Sequence, residues 1–339
     1  GNRPDAEEDG HAESAARELA AGAADGTLPP FVGIRIKPLT ADLGRRALAT
    51  LDRFLGTLVG ESGGALPAGF VVTLPKVTRV EQVEALAAAL GRIEERLGLA
   101  AGAVPIELMV ETPRSIVGAD GRVALPRLVA AAGGRCRGAH FGTYDYTASL
   151  GITAAEQRMD HPVCDLAKQV MQVALAGTGA WLSDGATNVL PVAPHRGDGL
   201  SAEQRAENRR VVHAAWRLHA RHVTHSLVGG FYQGWDLHPA QLPSRYAAVY
   251  AFFLAGAAAA GERLRAFVEG AARATLSGDV FDDAATGQGL LNFFLRATAC
   301  GALAGEEARR LSGLEAGELA SRSFLRILEG RRAGAAAAP

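Results

Sequence analysis

Cysteine is scarce in this chain, and long apolar runs are absent from it. The three cysteines (Cys136, Cys164 and Cys300) cannot all pair and show no CxxC spacing, which favours a reducing, cytoplasmic setting. The longest apolar run, residues 246–261, is shorter than the roughly 20 residues that a membrane-spanning helix needs. We therefore expect a buried helix there and no membrane partner.

The sequence also has no excess of charge of either sign. Its formal net charge is −1, with acidic and basic residues scattered along the chain, so no surface of one sign is expected for nucleic acid. The glycines of residues 177–185 lack the spacing of nucleotide-binding loops. Apolar residues make up 48% of the chain, which is enough for a large core.

Short, continuously apolar runs alternate with helical patterns, which indicates βαβ units and a parallel sheet. Helical patterns lie between the runs, and the chain from about residue 240 to 328 is almost wholly helical in pattern. The six predicted strands are 31–37, 69–77, 104–111, 137–145, 179–184 and 226–235.

Most of these runs end in polar side chains, as the strands of a (β/α)₈ TIM barrel do at the face that carries its active site. A barrel needs eight strands and six are predicted, so we expect a fragment whose first two strands are missing, with an open sheet as the alternative. The expected organisation is an N-terminally incomplete barrel domain over residues 1–245, a helical region over 246–328 and a flexible tail over 329–339.

Two carboxylates are the central candidates for chemistry. Glu111 and Asp145 end successive predicted strands, and neighbouring parallel strands lie about 4.8 Å apart, so both side chains could hold one ion. Mg²⁺ typically takes one or two protein carboxylates and fills its other positions with water and substrate oxygens. A salt bridge to a nearby arginine explains Glu111 equally well.

Two basic residues end the strands that come before this pair. Arg35 alternates with Ile34 and Ile36, so it points away from them and could grip a carboxylate with both arms of its guanidinium, or pair with Glu111 or Asp145. Lys76 could form a Schiff base, neutralise a carboxylate or bind substrate, or simply lie in solvent.

Several motifs resemble the HpcH/HpaI aldolase superfamily, which includes the citrate lyase β-subunit and malyl-CoA lyase. "VETPRSI" (110–116) and "HFGTYDYTASLGI" (140–152) resemble its paired metal-ligand motifs, and "GIRIKP" (33–38) resembles its strand with a carboxylate-gripping arginine. The resemblance implies that Glu111 and Asp145 bind Mg²⁺ or Mn²⁺ and that Arg35 binds a 2-oxo acid. "LPKV" (74–77) resembles a further family segment and brings in Lys76 as a substrate-binding candidate.

Two further elements bear on the substrate. "FDDAAT" (281–286) resembles the malate synthase element whose aspartate removes a proton from acetyl-CoA, which implies a catalytic role for Asp283; a helix cap explains it as well. "GWDLHPAQL" (234–242) resembles a family segment that continues with His238, a substrate-binding candidate. That segment's lysine is absent here, which disfavours coenzyme A. Three other histidines (His219, His222 and His225) share one face of a predicted helix, where we expect a surface or an interface.

The expected function is therefore that of a Mg²⁺-dependent carbon–carbon lyase or aldolase, acting on a 2-oxo acid or on its acyl-CoA adduct. One alternative is a metal-dependent aldolase of free 2-oxo acids that uses no coenzyme A. Another is a non-catalytic relative that binds carboxylates. A homo-oligomer is expected, because the helices beyond residue 245 are suited to covering the mouth of the barrel or to building an oligomer. Asp283 could then act from a neighbouring subunit.

Overall fold

A five-stranded parallel sheet is the central element of the fold. The computed structural model describes residues 4–277 and 284–336, and within them the strands lie side by side in chain order. The strands are β1 (Val32–Arg35), β2 (Phe70–Leu74), β3 (Ile106–Val110), β4 (Cys136–Phe141) and β5 (Trp181–Ser183). Neighbours in this sheet are also neighbours along the chain, so its strand order does not reverse as it does in doubly wound sheets.

Helices precede the sheet and connect its strands. Those of this part of the chain are α1 (Asp5–Ala24), α2 (Gly44–Glu61), α3 (Val80–Leu97), α4 (Pro113–Ile116), α5 (Leu125–Ala131), α6 (Thr143–Ser149) and α7 (Pro162–Leu175). Apolar residues recur on one side of α2 and α3 at the three- and four-residue spacing of an amphipathic helix, for example Leu51, Phe54, Leu55 and Leu58. These faces pack on the sheet and close the main core.

The two faces of the sheet differ in character because side chains alternate along each strand. One face carries apolar residues such as Val72, Leu74, Ile106 and Leu108, all buried in the core under the helices. The alternate positions of successive strands hold polar groups, and Arg35 lies opposite Thr73, which in turn lies opposite Glu107. The polar face is therefore where a ligand could bind.

The chain divides into two compact units, the first formed by residues 1–187 with 233–235 and the second by 188–232 with 236–339. The second unit contains α8 (Ala202–Val228), α9 (Leu242–Ser277), α10 (Ala284–Ala299), α11 (Gly305–Ser312), α12 (Ala316–Ala320) and α13 (Phe324–Ala336). The core of the second unit contains Phe253, Leu264, Leu291, Phe294 and Phe324.

The segment Pro239–Gly270 is, among the described residues, the one helical stretch long and apolar enough to cross a membrane by length and composition alone. Phe253 and Leu264 within it are buried in the core of the second unit, whereas Tyr246 and Leu254 are exposed. The helix is therefore buried on one side and exposed on the other.

The sixth predicted strand, 226–235, is wrong, because its first residues complete α8 and Trp235 forms an isolated parallel bridge with Ala186. The apolar run there belongs to the last turn of a helix, which periodicity alone does not distinguish from a strand. The last helix, α13, continues to Ala336 and so includes the first residues of the segment predicted as a tail.

Candidate active site

Glu111 follows β3 directly and is buried, with 5% of its surface exposed. Its Oε1 accepts a hydrogen bond from the backbone N–H of Lys76, with an N···O distance of 2.7 Å. Gly142, at the end of β4, leaves room for the carboxylate. A Cβ at position 142 would lie 2.4 Å from the Glu111 Cβ and 2.7 Å from its Oε2. The close approach of these two strand ends therefore requires glycine there.

The charge on Glu111 is unfavourable in this position. Burial is the largest effect and raises the pKa of its carboxyl above the ordinary value, and the negative charge of Asp145 raises it further. The N–H and the ammonium of Lys76 and the guanidinium of Arg35 oppose this shift only in part. Three of the other five residues predicted for the site, Asp145, Lys76 and Arg35, are thus close enough to influence the Glu111 carboxylate.

Asp145 lies in the first turn of α6, which starts just after β4. The predicted strand 137–145 is therefore too long, because β4 ends at Phe141. The Asp145 side chain is half exposed and forms an ion pair with the ammonium of Lys76. Of the alternatives for Lys76, this contact is that of a charge neutraliser.

Lys76 has an unusual backbone conformation for a residue with a side chain. Its φ angle is +50°, in the left-handed region, and among the described non-glycine residues it shares a positive φ with Arg322 alone. Such a conformation costs about 1–2 kcal/mol for a residue with a Cβ. Here it turns the N–H of Lys76 toward Glu111 while the side chain reaches Asp145.

Arg35 is the last residue of β1 and lies on the polar face of the sheet, as predicted from its alternation with Ile34. Its guanidinium carbon lies 5.1 Å from the centre of the Trp235 ring, a cation–π distance. Among the described contacts, Arg35 therefore rests on an aromatic ring rather than in an ion pair with Glu111 or Asp145. An exposed guanidinium supported in this way can bind an anion.

A cavity of about 330 Å³ lies on the same face of the sheet. Its lining includes Arg35, Thr73, Glu107, His140, Trp181 and Trp235. Glu107 and His140 are not among the residues predicted for the site. Each is polar and lies within an apolar strand, at an alternate position that faces away from the core, and that alternation is the signal that could have identified them.

Glu107, His140 and Trp235 form a hydrogen-bonded chain along this cavity. His140 Nε2 lies 2.6 Å from Glu107 Oε2, and the indole N–H of Trp235 donates to His140 Nδ1 over 3.1 Å. An indole can only donate, so Nδ1 must accept, and the proton of the imidazole resides on Nε2, where it is donated to Glu107. The chain thereby fixes the ring on which Arg35 rests.

Replacing His140 with phenylalanine should destabilise the fold by about 1–3 kcal/mol, because Glu107 and the Trp235 indole each lose a partner in a largely buried place. His140→Gln should lose less, since its amide can still donate to Glu107. Denaturant unfolding followed by circular dichroism measures both changes. A His140→Phe protein within 0.5 kcal/mol of wild type would show that the chain adds nothing to stability.

Two candidate residues remain, Asp283 and His238. Asp283 falls outside the described residues. His238 is exposed and belongs to the second unit, where its Nδ1 accepts from the N–H of Ala240 in a 3₁₀ turn. Their predicted roles stay predictions.

Two of the three histidines predicted to share a face of α8 are buried, so a surface position is wrong for those two. His219 and His222 are buried. His219 Nε2 lies 2.9 Å from Asp236 Oδ1, and its Nδ1 lies 2.8 Å from Ser244 Oγ. A carboxylate from beyond the helix thus partners His219, which the sequence pattern could not reveal.

The cysteines offer no nucleophile in the first unit. Burial raises the pKa of the Cys164 thiol to about 12 and that of the Cys136 thiol to about 11. The reactive form is the thiolate, and neither group forms it appreciably near neutral pH.

The fold and the site define a parallel α/β protein whose strand ends bring together two carboxylates, a lysine and an arginine. The chain matches the family model described as a domain of unknown function, DUF6986, over residues 1–327, and it belongs to that family. Among curated proteins, none matches this sequence.

The chain is similar to several solved structures. A citrate lyase from Burkholderia xenovorans LB400 is 21% identical, with a TM-score of 0.60 over 89% of this chain and 82% of that one. A malate synthase from Haloferax volcanii is 12% identical, with a TM-score of 0.49 over 92% and 82%. The citrate lyase β subunit of M. tuberculosis, complexed with oxaloacetate and magnesium, is 17% identical, with a TM-score of 0.40 over 69% and 93%. The first of these likenesses shows that the chain has the fold of a citrate lyase.

Proposed function

We propose that the protein is a Mg²⁺-dependent enzyme that makes or breaks a carbon–carbon bond beside the carbonyl of a 2-oxo acid. The observation that carries the proposal is the environment of Glu111. It is a buried carboxylate with a second carboxylate, Asp145, close enough to raise its pKa and an arginine within electrostatic reach. A TIM-barrel fold of this superfamily's type is also proposed, and the sequential order of the parallel strands supports it.

The residues present fit a hard divalent cation. Glu111 lies in the space that Gly142 leaves open, and its negative charge is unfavourable until a cation compensates it. No group of three or more His, Cys, Asp or Glu side chains suited to a metal occurs in residues 4–277 and 284–336. The protein would therefore supply two carboxylates, as is usual for Mg²⁺, and water and substrate oxygens would complete the shell.

Each residue then has a defined task. Bound Mg²⁺ would act as a Lewis acid that polarises the carbonyl of the 2-oxo acid. Arg35, supported by the Trp235 ring, would hold the substrate carboxylate with two parallel N–H···O bonds and so fix its orientation. Asp283 is proposed, from its motif alone, as the base that takes the proton from the carbon that forms the new bond.

The second candidate is an aldolase of free 2-oxo acids that does not use coenzyme A. The observation that favours it is the engagement of residues 233–235, the part of the family segment that lacks its lysine. Gln233 O accepts from the N–H of Asp184, and Trp235 donates to His140. This segment is thus hydrogen-bonded to His140 of β4 and to Asp184, which follows β5. Protection from hydrogen exchange on addition of coenzyme A would favour the thioester enzyme over the aldolase.

Calorimetric titration of Mg²⁺ with and without pyruvate or glyoxylate tests the proposal, with Arg35→Met as the matched variant. Wild-type protein should bind Mg²⁺, and the 2-oxo acid should strengthen that binding. The variant should retain Mg²⁺ binding. The factor by which the 2-oxo acid strengthens that binding should fall about 10- to 100-fold, which is equivalent to the loss of a charged hydrogen bond of about 1.5–3 kcal/mol.

The variant also separates specific binding from general electrostatics. Removing the positive charge of Arg35 makes the electrostatic potential at Glu111 more negative, so the binding of Mg²⁺ alone should not weaken. Well-folded wild-type protein that binds no Mg²⁺ would refute the proposed function.

A further inference from the structure

Lysine is rare in this chain, and each lysine is held by carboxylates. The chain has three lysines, Lys37, Lys76 and Lys168, among 35 basic residues. Lys37 forms an ion pair with Glu8. Lys168 is buried between Asp165 and Asp184, with N···O distances of 3.1 and 3.0 Å. Elsewhere the chain uses arginine for its positive charges, which makes the lysine beside Glu111 worth explaining.

Lys76 differs from the other two lysines in how loosely its ammonium is held. Its side chain is 46% exposed and that of Asp145 is 50% exposed, whereas the Lys168 side chain is 6% exposed. An ion pair as exposed as that of Lys76 and Asp145 contributes about 0–1 kcal/mol. The ammonium can therefore leave Asp145 at little cost while the backbone N–H keeps its hydrogen bond to Glu111.

The charges at the site make this exchange useful. Glu111, Asp145, Arg35 and Lys76 together carry no net formal charge, because two carboxylates face two cations. A divalent cation bound by the two carboxylates would raise the net charge of the site to +2. The ammonium of Lys76 would reduce its repulsion with that cation by moving away. An anionic substrate would then meet two free cations, Arg35 and Lys76, beside the metal.

We propose that Lys76 is a tethered counter-cation, which neutralises Asp145 until a divalent cation displaces it and which then binds the anionic oxygens of the substrate. The proposal rests on the proposed function of the same two carboxylates. It makes binding ordered, with the metal before the 2-oxo acid, because the lysine reaches the substrate only after leaving Asp145.

Titration of Mg²⁺ into wild type and Lys76→Met tests the first half of the proposal. The methionine keeps the backbone N–H and most of the side-chain volume but removes the competing charge, so Mg²⁺ should bind about 2- to 5-fold more tightly, within the range expected for loss of one exposed ion pair. Lys37→Met, which also removes one lysine, should leave the affinity unchanged. Lys76→Gly, which accepts a φ of +50° without strain, serves as a second variant if methionine destabilises the fold.

Amine acylation followed by mass spectrometry tests the release of the lysine in the wild-type protein, without any measurement of activity. Labelling of Lys76 should rise several-fold when Mg²⁺ is added and fall again when pyruvate follows. Lys37 is the internal reference for reagent and pH, and buried Lys168 should stay unlabelled. Because the chain has only these three lysines, each is followed separately.

The outcomes distinguish this inference from the proposed function. If wild type binds Mg²⁺ and Lys76→Met binds it equally or more weakly, the proposed role of Lys76 as a counter-cation is refuted and the proposed function stands. Unchanged labelling of Lys76 on metal binding refutes it as well. If neither protein binds Mg²⁺, both proposals fail together.

Discussion

Replacing Glu111 with glutamine should abolish Mg²⁺ binding, or weaken it by at least about 100-fold, because the amide removes one of two charged ligands from a hard cation. The variant should nevertheless be at least as stable as wild type. Burial and Asp145 raise the pKa of Glu111, so its charged form is unfavourable in the folded protein, and glutamine removes that charge. Calorimetry and thermal unfolding measure the two effects on one preparation.

Glu107→Gln is the matched control for this variant. Glu107 lies on β3, four residues before Glu111, and its carboxylate is engaged by His140. The control should bind Mg²⁺ as wild type does. If Glu111→Gln binds Mg²⁺ with wild-type affinity, the metal lies elsewhere and the proposed site is wrong.

Replacing Arg135 with methionine should cost about 3–5 kcal/mol of unfolding free energy, because it leaves the buried charge of Glu94 without its partner. Glu94 is 1% exposed. Two nitrogens of Arg135 bind its two oxygens at 2.5 and 2.7 Å. Arg96→Met is the control. Arg96 forms a solvent-exposed ion pair with Asp52, and the loss of that pair should lower the unfolding free energy by at most about 1 kcal/mol.

The pH dependence of this variant follows from Glu94. Burial alone would raise its pKa, but the hydrogen bonds from Arg135 and from the N–H groups of Val104 and Gly102 hold the pKa below the ordinary value. The stability that the pair contributes is therefore fully present above the pKa of unfolded glutamate and is lost as the pH falls through the lower, folded value. The difference between wild type and Arg135→Met should shrink in acid. Denaturant unfolding at pH 7 and below pH 4 measures it, and a difference independent of pH would contradict the assignment to Glu94.

This pair matters to the site because of where it lies. Arg135 directly precedes β4 and also donates to the carbonyl of Val104, just before β3. The pair therefore fixes the starts of the two strands that lead to Glu111 and to the helix of Asp145. Loosening it should disturb the distance between the two carboxylates as well as the stability.

Much of the fold could be predicted because it rests on local pattern. Five of the predicted strands are confirmed, and a continuous apolar run flanked by amphipathic helices is a strong signal for a parallel strand. The error at 226–235 arose where a short apolar run has no period of its own. There Leu227 is buried by the end of α8, and Gly229 and Gly230 end the helix soon afterwards.

The site was predictable only as far as strand ends and alternation reach. Those rules identified Glu111 and the orientation of Arg35. They could not show that Lys76 joins Glu111 to Asp145, because that contact depends on a left-handed backbone at a non-glycine residue. Nor could they pair Glu107 with His140, 33 residues later, since such contacts depend on the register between strands.

The support beneath Arg35 has a spectroscopic consequence. Trp235 carries a guanidinium over its ring and an imidazole on its N–H, so the polarity around this indole depends on where Arg35 points. An anion that draws the guanidinium off the ring removes a positive charge from the face of the fluorophore. With Trp181 and Trp216 changed to phenylalanine, the fluorescence emission of Trp235 would report the binding of an anion in the cavity in real time. The protein would then need no added fluorescent label.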